Sequence, residues 1–223
     1  MSKITRRKFL NITAISLALP FYLNSLFANT QNKITWEGIA LGAEASMTLF
    51  HNDITFVKNT LNICINEIIR LEKIFSLFDE NSYICELNRN SYLKNPPKEL
   101  VEILNFANTI SENTDGAFDV SVQPLWLIHA KFFKDTNNKD INKLKEEIQK
   151  VKEFVSYKNI LISNDEISFA KKDVQITLNG IAQGYITDKI TNILKEKGFT
   201  NVLVNVGEFN SIGGYDENRD WNI

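Results

Sequence analysis

From Val57 onward, apolar side chains recur at steps of three and four, placing Leu61, Cys64, Ile68, Leu71, Phe75 and Phe78 on one face and Glu67, Arg70 and Lys73 off it. That period predicts a long amphipathic helix with a buried stripe. Pro96 and Pro97 open a second predicted helix through Leu100, Leu104, Ala107 and Ile110, because proline is tolerated where a helix begins. It runs out at Asn113, before Asp115 and Gly116. Between Lys131 and Lys152 the stripe is narrow, Ile141, Leu144, Ile148 and Val151 in a run of lysine, glutamate and asparagine, and predicts a solvated surface helix. Short runs at Ile160–Ile162, Ile167–Ala170 and Val174–Leu178 predict three strands of an antiparallel meander, the first two joined by a turn over Ser163–Glu166. A helix from about Gly184 to Lys197, stopped by Gly198, and a strand Val202–Val206 ending at Gly207 complete the pattern. Strands and helices are too unevenly mixed for a doubly wound parallel sheet, so the expected class is α+β.

Composition sharpens this picture. With 223 residues, 43% of them hydrophobic, the chain can build one sizeable core, and no compositional break divides it. Residues 1–28 read as an export leader: Lys3, Arg6, Arg7 and Lys8 precede a mostly apolar run from Phe9 to Phe27, and Leu26, Phe27 and Ala28 resemble a cleavage site. Pro20 and several polar residues dilute the run, which argues against a membrane span. The wording TRRKFL at Thr5–Leu10 looks like a twin-arginine signal, the kind that exports folded proteins, and the expected location is the periplasm. The expected division is thus a leader, 1–28, and one domain, 29–223. The whole chain has 25 basic and 27 acidic residues; four of the basic and none of the acidic lie in the leader, so the remainder carries a net charge of −6. That balance disfavours nucleic acid as a partner. Cys64, on the apolar helix face, and Cys85, beyond its end, read as packed thiols rather than a bridge or a metal pair. His51 and His129 stand without a neighbouring ligand at metal spacing.

The stretch Thr177–Tyr185, TLNGIAQGY, carries the chemistry. An apolar strand runs into Gly180 and Gly184 and then into a helix, so side chains are removed where a ligand can approach the main chain, and the helix aims its N–H groups and positive dipole end at the same spot. An anionic ligand fits such a place. A tight turn whose glycines serve packing alone is the competing reading.

Four segments, in order, resemble the ApbE family of FAD:protein FMN transferases: LGAEASMTL (Leu41–Leu49), FSLFDENSYICELN (Phe75–Asn88), TDGAFDVSVQPL (Thr114–Leu125) and TLNGIAQGYITD (Thr177–Asp188). A fifth, NVLVNVGEFNSIGG (Asn201–Gly214), looks like the glycine-ended strand that follows them. The leader, WEGIALGAEASMTL and TLNGIAQGY resemble in particular the NosX-like branch linked to nitrous-oxide reductase maturation. The resemblance implies a single α+β domain, T-fold-related, of antiparallel sheet packed with helices. It implies FAD as substrate, magnesium as metal, and transfer of FMN to a threonine or serine hydroxyl of a periplasmic domain of a respiratory membrane flavoprotein, with AMP released. Carried over, Leu41 and Phe78 would cover flavin or adenine rings, Ala117, Phe118 and Asp119 would follow the adenosine, and Thr177 and Gln183 would bond FAD. The Gly180 carbonyl would face the metal. Each has a plainer reading: core packing for Leu41 and Phe78, a capping or turn role for Asp119.

Two departures stand out. Thr177 replaces a common aspartate and Gln183 a common lysine, exchanging two charges for hydrogen-bonding groups. Family members also continue beyond the Trp221 region into a segment with further metal ligands and the catalytic base, so this chain is expected to be a fragment, and its base is unassigned. Hydrolysis of FAD to FMN and AMP, FAD carriage without chemistry, and a purely structural role are the competing functions.

Overall fold

The computed structural model describes residues 22–23, 32–134, 140–216 and 218–223, so most of the expected leader lies outside the described residues. The architecture is α+β, and every strand pair named below is antiparallel. The described residues form two compact units: those up to Arg70 together with those from Gln183 onward, and those from Leu71 to Ala182.

In the first unit, strands β1 (Tyr22–Leu23), β2 (Asn32–Ala40) and β3 (Ala43–His51) lie in one five-stranded sheet with β7 (Val202–Val206) and β8 (Phe209–Ile212), in the order β1-β2-β3-β7-β8. Alternation sets which face is buried. Ala45, Met47 and Leu49 of β3 stand opposite Val206, Val204 and Val202 of β7, and all six are buried. A one-residue slip would turn this set outward, so the register is strongly specified. Helix α1 (Ile54–Phe75) buries Val57, Leu61, Cys64 and Ile68, as its period predicts. It begins where the Asp53 carboxylate accepts the Phe56 N–H at 2.9 Å. Burial pushes the Cys64 thiol up to about 12, which leaves it a protonated, packed group. Both cysteines are free, as expected.

The second unit contains helices α2 (Tyr83–Asn90), α3 (Lys98–Asn113), α4 (Gln123–Lys134) and α5 (Ile141–Val151), with a three-stranded sheet ordered β4 (Tyr92–Lys94), β6 (Glu166–Phe169), β5 (Ile160–Ile162). Two expectations are corrected here, at Val174–Leu178 and at Phe78. Val174–Leu178 is not a strand: Val174, Ile176 and Leu178 are buried in strand-like alternation, but the backbone bonds go to the Asn88 side chain and to Val120 rather than to a ladder. The third strand is β4 instead. Phe78 does not extend the stripe of α1, which ends at Phe75; the chain turns, and Phe78 is 66% exposed. Cys85 lies within α2, a helix started by Ser82, whose side chain accepts the Cys85 N–H and donates to the Ser76 carbonyl at 2.6 Å.

Helix α6 (Ala182–Glu196) begins two residues earlier than expected and ends as expected: Gly198 has φ +85°, and Phe199 N–H closes back to the Leu194 carbonyl. No helix among the described residues is long and apolar enough to cross a membrane.

Candidate functional site

The loop Thr114–Asp119 is shaped by its own hydrogen bonds. Helix α3 stops at Asn113, and Asp115 and Gly116 take positive φ of 50° and 79°. Thr114 holds the reversal, donating its hydroxyl to the Ile110 carbonyl at 2.8 Å and accepting the Phe118 N–H at 3.1 Å. Asp119 then works as a clasp. One carboxylate oxygen accepts the Ser121 N–H (2.8 Å) and the Ser121 hydroxyl (2.6 Å), capping a 3-10 turn at Val120–Val122. The other accepts the Tyr157 N–H at 2.8 Å, from 38 residues away. The capping reading of Asp119 is therefore realised, with both carboxylate oxygens engaged within the unit. Ala117 is exposed and Phe118 half-buried.

The segment before the glycines is tied to this loop. Thr177 N–H donates to the Val120 carbonyl at 2.8 Å, and the Asn88 carboxamide brackets Ile176, accepting its N–H at 2.8 Å and donating to its carbonyl at 2.9 Å. Thr177 also accepts the Asn179 N–H through its hydroxyl, at 3.3 Å. The turn then closes with Ile181 and Ala182 N–H groups both on the Leu178 carbonyl. Asn179 and Gly180 stand exposed at its tip. Asn88, Ser121 and Tyr157 were assigned no role from sequence; the signal that could have found the first is its place at the end of a motif, in a segment otherwise apolar at helical spacing.

The glycines answer the question the sequence left open. Neither Gly180 nor Gly184 has a positive φ. A methyl group at Gly180 would meet only the Phe118 ring, at an ordinary 3.5 Å, and at Gly184 nothing within 4 Å. Neither backbone strain nor crowding among the described residues requires glycine here. Gly184 is also not the helix start but lies in the first turn of α6, where N–H groups lack acceptors within the helix.

Thr177, Phe118, Asp119, Ala117 and Gly180 thus share one region of the second unit, with Phe78 in the turn between Ser76 and Ser82 of the same unit. Leu41 and Gln183 belong to the first unit. Leu41 and Gly42 form the two-residue turn between β2 and β3, with φ of 47° and 79°. Such a turn favours Asn-Gly; a leucine there is strained, by roughly 1–3 kcal/mol, and strain of this kind gathers at ligand sites. Gln183 lies over the bare backbone of Gly207, itself at φ +87°, where any side chain would overlap the Gln183 carboxamide. Among the described residues no three or more His, Cys, Asp or Glu side chains gather in a way that could hold a metal.

A family model described as the ApbE family matches residues 41–223, and the chain belongs to that family. The chain is similar to the FAD:protein FMN transferase of Buchnera aphidicola (26% identical over 182 residues, 77% of this chain and 52% of the relative). It is similar also to that of Escherichia coli K12 (23% over 159 residues, 68% and 45%). The chain spans about half the length of these curated relatives. Its fold matches the flavin transferase ApbE of Vibrio cholerae, with TM-score 0.75 at 16% identity, covering 86% of this chain and 63% of that one. The Pseudomonas stutzeri flavinyl transferase ApbE, apo form, matches with TM-score 0.74 at 20% identity, covering 90% and 64%.

Proposed function

We propose that this chain acts as a FAD:protein FMN transferase, moving FMN from FAD to a threonine or serine hydroxyl of an acceptor protein. The observation that carries this reading, beside family membership, is the exposed glycine turn at Gly180, kept bare without any need inside the fold and placed beside the Phe118 ring. In the reaction the hydroxyl oxygen attacks the FMN phosphorus, the pyrophosphate P–O bond breaks toward the AMP phosphate, and the hydroxyl proton leaves to a base. The described residues supply positioning. Within the second unit, Gly180 admits the substrate to the main chain, Phe118 offers a ring face and Thr177 a hydrogen bond, with Phe78 a further candidate for a ring contact. Gln183 and Leu41, in the first unit, are candidates through the resemblance alone.

Magnesium is the counter-ion the resemblance implies. The described residues offer it the Gly180 carbonyl but no carboxylate cluster, which falls short of the oxygen set such an ion takes. The acceptor we infer is a periplasmic domain of a membrane respiratory flavoprotein, reached by twin-arginine export; TRRKFL and the apolar run after it support this, as do the NosX-like wordings.

The test is AMP release from FAD, with an acceptor flavoprotein domain and magnesium, and again with EDTA. AMP release matched by FMN on the acceptor is the expected result, and the EDTA arm reads whether a metal is needed. AMP without acceptor labelling makes the protein a FAD pyrophosphatase, and FAD binding without AMP makes it a carrier; either overturns the transferase reading.

A further inference from the structure

Helix α4 leaves an aromatic face uncovered. Trp126, Ala130 and Phe133 follow one another at i, i+4 and i+7 and so share one stripe, and Trp126 is 50% and Phe133 67% exposed. Leu127 beside them is exposed too. Large aromatic groups on a helix normally face a core, and this helix has one: its opposite side carries the half-buried Leu125, Ile128 and Phe132. The stripe is a second apolar face, and its Phe133 ring has aromatic neighbours, stacking on His129 at 6.4 Å and meeting Phe132 edge-on at 5.4 Å. Neighbouring α5, which packs against α4, has no buried residue and does not cover it.

Charge says what the face fits. The chain as a whole has more acidic than basic residues, yet α4 carries Lys131 and Lys134 and no carboxylate, and α5 adds Lys143, Lys145 and Lys150 against Glu146 and Glu147. Tryptophan and phenylalanine flanked by lysines on one helix match the boundary of an anionic bilayer, where rings sink among the upper acyl chains and ammonium groups reach the phosphates. We propose that the Trp126–Phe133 face of α4 docks the folded protein onto an anionic phospholipid surface.

Residues 1–28 are apolar enough to bind lipid by themselves, so the test must report on Trp126. The full chain is mixed with phosphatidylglycerol vesicles whose acyl chains carry bromine, which quenches tryptophan only on contact; Trp36 and Trp221 serve as internal references. The expected result is quenching that disappears in Trp126→Phe and falls, with vesicle partitioning, in Lys131→Glu/Lys134→Glu, each lysine near the surface being worth about fivefold. Neither change touches a buried group, and circular dichroism checks that both variants stay folded. Equal quenching in the wild type and Trp126→Phe overturns the proposal. So does vesicle binding indifferent to the lysine reversals, or a dimer in sedimentation velocity that Trp126→Ala/Phe133→Ala dissolves without any lipid contact, which would make a second copy the occupant.

Discussion

The two motifs that resemble the ApbE family most closely, the loop Thr114–Asp119 and the turn Thr177–Gly184, are built in opposite ways. In the first, nearly every polar group has work inside the fold: Thr114 bridges Ile110 and Phe118, and Asp119 holds Ser121 and Tyr157. In the second, the approach is anchored by Asn88 and Val120, but the tip carries only Asn179 and Gly180, exposed, with room for a methyl group. The difference separates residues that a motif uses in the scaffold from residues for which the scaffold shows no use. Asp119 looked like a ligand contact in the sequence, and its clasp explains it without one. Gly180 has no such internal explanation.

The comparison breaks most readily at Asp119. Asp119→Ala leaves the Ser121 and Tyr157 N–H groups without their acceptor and should cost about 2–4 kcal/mol in urea unfolding. A loss under about 0.5 kcal/mol would remove the clasp. Asn88→Ala strips both bonds from the buried Ile176 backbone, with an expected loss of about 2 kcal/mol by the same measurement. Gly207→Ala combines a positive φ with overlap on Gln183 and should cost about 1–2 kcal/mol. If Gln183 bonds FAD, this variant also weakens FAD binding, and Gln183→Ala reproduces that weakening without the stability loss. At the small end, Gly180→Ala should change stability by no more than about 0.5 kcal/mol, since φ and space both allow a methyl group.

Much of the scaffold was legible from periodicity. Helix α1 and helix α3, the α6 terminus at Gly198 and strand β7 follow from apolar spacing and breakers acting over a few residues. The failures share one cause. Val174–Leu178 has a strand's alternation, but its hydrogen bonds are decided by Asn88, 88 residues before its partner Ile176, a pairing no local pattern contains. Phe78 continues the α1 stripe in sequence only, because Ser76 and Ser82 divert the chain into a turn. Motif wording singled out Phe118 and Gly180, whose neighbourhood the structure shows, whereas the division between clasp and opening was not legible. Asp119 looks the same in sequence whether it holds Tyr157 or an adenosine; only the backbone of a distant turn distinguishes the two.

The most direct test of the opening at Gly180 is FAD affinity by titration calorimetry for the unmodified chain and for Gly180→Val, with thermal unfolding of both in the absence of FAD. A valine projects its branches into the space where FAD is to meet the main chain, so affinity should fall at least about tenfold, roughly 1.4 kcal/mol, while the ligand-free unfolding temperature stays the same. Equal affinity in both proteins, or no FAD binding by the unmodified chain, would contradict the account.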